Sequence, residues 1–479
     1  MSAENARIAT GRGAHLPTTF RAVWEDIRVW KRIIAVLALV GMGGYIFADA
    51  WDIAPGPLTT KPEPADPLPY PTIQPAVVEA PVLDTEITAM PPTSEDVAEL
   101  ISTLDADSRN TGTTSVIVAD TLTGEPIATW GADRPALPAS NMKIITAAAA
   151  LHALGPDATL PTIASLSGTT VHLIGGGDVL LSEGAGAPTA TTGRAGLGDL
   201  AESTASQLRD RGVNSVNIAV DSSLFTGPQY YTDIEGGNRN YVMELRPIAV
   251  DRGRVDNVGY LSNPDIHAGD AFAERLREEG IEVTAVGRSA TPVDATELAR
   301  IESAPIRDLV DYMLLVSDNS VAEVLGHLVG LEAGFGGSFD GANEARLKAM
   351  HELGVRTDGI ILGDSSGLSA TNRLTANIIF DILTLTWECD ACSLAAIPSG
   401  LPVSALDGTL SQRFHGTEIE GQVRAKTGTL LEAISLSGYM LTDSGYPLTF
   451  VILMDNLEIG TAPASRVLQD EFLDALASL

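Results

Sequence analysis

Pro138-Ala-Ser-Asn-Met-Lys-Ile-Ile-Thr-Ala-Ala-Ala-Ala-Leu-His-Ala-Leu154 is the stretch that decides how this chain is read. Its Ala and Leu content predicts a buried helix, and Pro138 is compatible with a helix start. Ser140 and Lys143 stand at i and i+3, so they share one face of that helix. A hydroxyl at a helix N-terminus also feels the positive end of the macrodipole, which favours a developing alkoxide. Lys143 can act as a base only as a neutral amine. Shifting an amine from about 10.4 to near 7 takes roughly 4 to 5 kcal/mol, which burial beside a second cation can supply. Arginine does not deprotonate at useful pH and cannot replace it. Residues 147–151 are expected to bury the helix below the pair and hold it. His152, on the same helix, is expected to be a satisfied core residue.

Two further short segments fit this chemistry. Ser317-Asp318-Asn319 interrupts a helical region running from Pro305 to Leu328. Ser317 offers a hydroxyl to relay a proton to a leaving amine. The Asn319 amide can hold a substrate backbone and orient Lys143, and Asp318 is read as structural. Lys426-Thr427-Gly428-Thr429 sits in a strand. Alternation puts Lys426 and Gly428 on one face and Thr427 on the other, so Thr427 reaches a site only at a sheet edge. Gly428 is expected to let substrate approach the backbone. The Thr429 N–H, with that of Ser140, can form an oxyanion hole. The chain has only five lysines, Lys31, Lys61, Lys143, Lys348 and Lys426. Two of the three beyond the N-terminal region therefore fall in these segments. None of the seven histidines sits in a triad signature, and no G-x-S-x-G elbow is present.

Outward from these segments, Ser94 is the expected cap of a first helix, followed by a β-hairpin through 115–120 and 126–130. Residues 161–300 change texture to short strands, Gly turns and one helix near 270–279. The Gly175-Gly-Gly-Asp178 run has no G-K-[ST] after it and is no phosphate loop. Three consecutive antiparallel strands are expected at 421–429, 433–441 and 447–454. A C-terminal helix should bury Val467, Leu468, Phe472, Leu473 and Leu476. At the other end, a basic segment (1–32) precedes a mostly apolar segment (33–51), uncharged from Ile33 to Ala48, and a Pro-rich stretch (52–93). That order predicts a cytoplasmic N-terminus, a single-pass membrane anchor, a semi-extended spacer and an exported remainder. Ala48-Asp49-Ala50 has the form of a cleavage site, so release after Ala50 stays open.

The net charge of −32 sets the chain against a nucleic-acid partner. Cys389 and Cys392 are the two cysteines. Their C-x-x-C spacing leaves a local disulfide, free thiols, or redox or metal chemistry open. No cofactor and no metal is expected.

S-x-x-K, S-D-N and K-T-G in this order are the signature of penicillin-binding proteins and class A β-lactamases. From about residue 94 to 479 the chain resembles the class C low-molecular-mass penicillin-binding proteins, the D-alanyl-D-alanine carboxypeptidase/endopeptidase family. Leu137 to Lys143, Thr146 to Leu151, Gly175 to Asp178, Asp364-Ser-Ser-Gly-Leu-Ser369, Leu401-Pro-Val, Asp407-Gly-Thr-Leu and Gln422 to Leu430 carry the likeness. It implies an α/β (α+β) transpeptidase-like fold, an antiparallel sheet flanked by helices. A large insertion at 161–300 is expected to divide the catalytic domain into 94–160 and 301–479. It also implies an acyl-enzyme on Ser140, with Lys143 as base, Ser317 and Asn319 as relay and substrate holder, and Lys426, Thr427 and Thr429 as the carboxylate subsite. Peptidoglycan peptides and β-lactams are the implied partners. Ser365 departs from the Gly expected there, and the N-terminal anchor and spacer depart from the cleaved signal usual in the family. Two rivals remain. A class A β-lactamase needs a deacylating carboxylate, for which Glu344 to Lys348 is a faint match. A non-catalytic wall-binding protein would keep the fold alone.

Overall fold

Three strands near the C-terminus and the hairpin near the start of the folded part meet in one antiparallel sheet. The structure is a computed structural model that describes residues 37–42, 44–45, 87–234, 236–255, 259–387 and 393–479. The basic segment, most of 33–51, most of the Pro-rich stretch, Cys389 and Cys392 lie outside the described residues. Residues 37–42 and 44–45 are helical and exposed. Among the described residues no helix is long and apolar enough to cross a membrane.

The first sheet takes β1 (Thr113–Asp120), β2 (Pro126–Trp130), β8 (Val423–Thr429), β9 (Ala433–Leu441) and β10 (Pro447–Asp455) in the order β8-β9-β10-β1-β2. The ladders run antiparallel, with Ile117 opposite Val451 and Leu436 opposite Ile452. Both faces are covered over the middle of the sheet, so β9 and β10 are buried along almost their whole length. On one face lie α1 (Ser94–Ala106) and α9 (Ala462–Ala477), packed with Val116, Leu436, Phe450 and Ile452. On the other lie α2 (Met142–Ala153) and α8 (Ala376–Trp387), packed with Ile117, Val451 and Leu453. Behind them stand α5 (Ile306–Leu315), α6 (Asn319–Glu332) and α7 (Phe339–Glu352).

The inserted stretch builds a second five-stranded sheet. Its strands are β3 (Pro161–Ser167), β4 (Thr170–Gly175), β5 (Ser215–Asp221), β6 (Glu282–Arg288) and β7 (Thr296–Glu302), in the order β6-β5-β4-β3-β7. This sheet is mixed: β4, β5 and β6 run parallel, and β3 is antiparallel to β4 and β7. Parallel pairs need crossovers, here the helices α3 (Leu197–Asp210) and α4 (Pro264–Glu278).

Several expectations need correction. The helix at 197–210 was not expected, although Leu197, Leu200, Ala201, Thr204, Ala205 and Leu208 are buried at helical spacing. The cap of α1 is Thr93, whose hydroxyl accepts from the Asp96 N–H; the Ser94 hydroxyl instead donates to the Ile127 carbonyl at 2.7 Å. On α9, Val467 is exposed while Leu468, Phe472, Leu473 and Leu476 are buried. His152 is exposed on the last turn of α2 and bonds Glu352 at 3.1 Å. The second sheet runs to Glu302, past the expected boundary at 300. Within the insertion, Val179, Leu180, Met243, Leu245 and Ala249 pack into the helical core of the catalytic part.

Candidate active site

Ser140 lies in a single 3-10 turn, Ala139–Asn141, that leads straight into α2. Ala139 is in the left-handed region (φ 46°), a conformation that costs a non-glycine residue energy and aims the turn. The turn is tied to the first sheet by a fully buried Asn141, whose amide donates to the Ser435 hydroxyl at 2.5 Å and to the Lys426 carbonyl at 3.3 Å. Ser435 Oγ in turn donates to the Pro138 carbonyl at 2.7 Å. Sequence reasoning singled out neither Asn141 nor Ser435.

Lys143 is fully buried. Its Nζ lies 3.1 Å from Ser140 Oγ, 2.6 Å from Asn319 Oδ1 and 2.7 Å from the Ser366 carbonyl oxygen. Burial lowers this amine to about 8, against the pull of the carboxylates of Asp364, Asp318 and Glu323. Burial beside a second cation was expected to supply the shift; burial is the cause here, because removing the ammonium from water is the largest effect. The two carbonyl-type oxygens can only accept. A neutral amine has two N–H donors and one lone pair. Asn319 and Ser366 take the two protons, and the lone pair is left to face the Ser140 hydroxyl.

Asp318 caps α6, accepting from the Val321 N–H at 2.9 Å, and pairs with Arg252 at 3.2 Å. Ser317 just before it adopts φ 58°, breaking the helical region between α5 and α6. Its hydroxyl receives a hydrogen bond from Lys426 Nζ at 2.9 Å. Lys426 is also fully buried, and burial together with the Lys143 charge lowers it well below the ordinary amine range. Asn319 Nδ2 donates to the Tyr241 carbonyl at 2.8 Å. The half of its amide expected to hold substrate is thus directed to the inserted stretch.

β8 is the edge strand of its sheet. The Val423 carbonyl and Ala425 N–H bond to Ser404 and Pro402, away from β9. Strand alternation then turns the N–H groups of Thr427 and Thr429 to the same free edge. Their side chains lie on the face opposite Lys426. Thr427 Oγ1 bonds Thr409 Oγ1 at 2.7 Å, and Thr429 Oγ1 receives Arg466 at 3.5 Å. Lys426 meets the carbonyl of Thr427, at 2.9 Å, and not its hydroxyl. Gly428 is needed for a different reason from the one expected. A Cβ there would stand 2.2 Å from Ser435 Oγ and 2.9 Å from Ser140 N, so its absence lets β8 press on the Ser140 turn. The structure therefore brings Ser140, Lys143, Ser317, Asn319 and Lys426 into one site. The Thr427 and Thr429 backbones border it.

The profile of the D-Ala-D-Ala carboxypeptidase 3 (S13) family matches residues 96–260 and 248–476. The chain belongs to that family. It is 33% identical over 403 residues to a carboxypeptidase of Mycobacterium tuberculosis, covering 80% of this chain and 85% of that one. It is 31% identical over 483 residues to the carboxypeptidase DacB of Mycolicibacterium smegmatis, covering 97% and 98%. Among solved structures, penicillin binding protein 4 of Haemophilus influenzae superposes with a TM-score of 0.65 at 20% identity, covering 79% of this chain and 99% of that one. The fold is thus the penicillin-binding one.

Residues to which sequence reasoning assigned no individual role also border the site. Ser366, Glu323, Tyr241 and Thr409 are examples. Ser366 and Tyr241 act through backbone carbonyls, which leave no side-chain signature. Ser365, the departure from Gly, is accommodated by Gly326 on α6: a Cβ at 326 would fall 2.0 Å from Ser365 Oγ. Glu344, the faint match to a deacylating carboxylate, is exposed on α7.

Proposed function

We propose that this protein is a serine-type D-alanyl-D-alanine carboxypeptidase acting on peptidoglycan stem peptides through an acyl-enzyme on Ser140. The observation that carries this reading is the fully buried Lys143 amine, held between Ser140, Asn319 and the Ser366 carbonyl. The amine takes the Ser140 proton as Oγ bonds the penultimate D-alanine carbonyl carbon. The N–H groups of Ser140 and Thr429 face the developing oxyanion. The C–N bond then breaks: Ser317 gives its hydroxyl proton to the leaving amine and recovers one from Lys426, which takes up the proton that Lys143 held, so Lys143 is neutral again. Water then attacks the ester carbon as Lys143 takes its proton; the C–Oγ bond breaks, Lys143 returns that proton to Ser140 Oγ, and the free acid departs. Lys426 and the free edge at Thr427 and Thr429 receive the terminal carboxylate. A penicillin offers the same carbonyl and carboxylate and acylates Ser140 in the substrate's place. The relatives named carboxypeptidases support that reaction over cleavage of cross-links.

Residues 94–160 and 301–479 form the catalytic domain in this reading, with 161–300 inserted. The basic segment, apolar run and Pro-rich stretch hold it on the outer side of the membrane. A labelled penicillin with peptide mapping by mass spectrometry tests the site, beside D-alanine release from a pentapeptide. Label on Ser140, and loss of both signals in Ser140→Ala, is the expected result; label elsewhere or unchanged release defeats the assignment.

A further inference from the structure

We propose that Glu323 is a positioning residue for acylation, holding the 365–366 backbone so that the Ser366 carbonyl takes one proton of the Lys143 amine and leaves its lone pair facing Ser140. This rests on the reading of Lys143 as the base. It concerns a buried carboxylate that the mechanism above does not use.

Five consecutive backbone N–H groups in the 365–369 loop end on two buried carboxylates. Glu323 accepts from Ser365 N at 3.1 Å and Ser366 N at 2.9 Å. Asp364 accepts from Gly367 N at 2.8 Å and from Leu368 N and Ser369 N at 2.9 Å each. With its N–H groups gathered on one side, the loop turns its carbonyls the other way. The Asp364 carbonyl receives Arg346 at 3.0 Å, that of Ser365 receives Thr146 Oγ1 at 2.7 Å, and that of Ser366 receives Lys143. N–H bonds to an ionised acceptor are about twice as strong as neutral ones, so the carboxylates set the loop's orientation.

Glu323 stands at i+4 from Asn319 on α6, on the same helix face. One helix thus supplies both acceptors of the Lys143 protons, one directly through Asn319 Oδ1 and one through the loop. The charged groups facing Glu323 are Asp364 from the loop, Arg346 from α7 and Lys143 from α2. The His327 Nδ1–H, one turn along α6, donates to the Glu323 backbone carbonyl at 2.8 Å, and burial lowers the ring to about 4. Burial and the Asp364 charge push Glu323 up to about 7, so it is largely ionised where Lys143 titrates. Its charge favours the protonated form of Lys143.

The test compares wild type with Glu323→Gln in penicillin acylation from about pH 6 to about pH 10, with D-alanine release measured in parallel. The expected result is acylation slowed about 10- to 100-fold, the size seen when the outer partners of a functional ligand are removed. The acid limb moves to lower pH because the negative charge facing Lys143 is gone, KM changes less than about twofold, and Glu323→Asp recovers part of the rate. A folded Glu323→Gln protein with wild-type acylation and an unmoved acid limb overturns the proposal. If that variant does not fold, Thr146→Val decides: it frees the Ser365 carbonyl without altering charge. Acylation about three- to tenfold slower with an unmoved limb supports the proposal, and a wild-type rate overturns it. Failure of wild type itself to label Ser140 or release D-alanine would instead sink the functional reading.

Discussion

Two side chains that are normally solvated, Lys143 and Lys426, are buried in this site without a carboxylate in direct contact with either amine. That is costly for a charge and cheap for a neutral amine, so burial frees an ordinarily protonated amine to take a proton in the proposed reaction. Because the base must be neutral, the acylation rate should rise with pH through about 8, the value to which burial lowers Lys143. Lys143→Arg should lose about 1,000-fold or more, since a guanidinium keeps its proton. Stopped-flow acylation across pH checks both points, and a flat profile or an active Arg variant contradicts them. The side chains of this site were legible one at a time. Ser140, Lys143, Ser317, Asn319 and Lys426 each have a chemistry that few other residues supply. The Ser366 and Tyr241 carbonyls were not, because every residue carries one and only the fold selects which points inward.

At the level of elements, the site exists because an edge strand lies directly against a helix start. Gly428 on β8 makes that approach possible, and Asn141 and Ser435 lock it. Gly428→Ala places a methyl group inside the van der Waals radius of Ser435 Oγ and the Ser140 backbone. The strand must then shift from the Ser140 turn, which should slow acylation at least about 10-fold and lower stability by about 1–3 kcal/mol. A melting curve and the acylation rate measure the two effects, and an unaltered rate would show that the approach does not matter. Alternation along β8 was readable from sequence and placed Thr427 away from Lys426. What was not readable is that β8 would be an edge, with its Thr427 and Thr429 N–H groups unshared with a neighbouring strand. The helix at 197–210 was missed for a simpler reason. A Gly- and Thr-rich loop precedes it, and its Gly196 cap provides no side-chain hydrogen bond.

In the whole molecule, the insertion braces the catalytic part. Arg252 pairs with Asp318, the Met243 N–H donates to Ser320 Oγ at 3.0 Å, and the Tyr241 carbonyl holds Asn319. Asp178, where the second sheet meets α5 and α6, is a buried carboxylate that burial pushes up to about 7. The folded chain therefore binds more protons than the unfolded chain between about 3.8 and 7, and this group's contribution to stability falls as pH rises through that window. Asp178→Asn removes the ionisation and keeps the oxygen that accepts from the Leu180 N–H at 2.9 Å. Relative to wild type it should be neutral near pH 4 and more stable by about 2–4 kcal/mol near pH 8. His327 titrates with the opposite sign but is common to both proteins, so it cancels in the difference. Urea unfolding at the two pH values checks this, and equal differences would contradict it.

The order of residues by itself pointed to the candidate reacting groups, the antiparallel C-terminal strands and the presence of a long insertion. The first two follow from side-chain chemistry and periodicity, which are local; the insertion follows from the family resemblance and the long gap between Lys143 and Ser317. Tertiary structure decided how dry each lysine is, which backbone carbonyls face them, and that the insertion shares the catalytic core. Burial and backbone direction depend on what packs against a residue from far along the chain, and no local pattern encodes that.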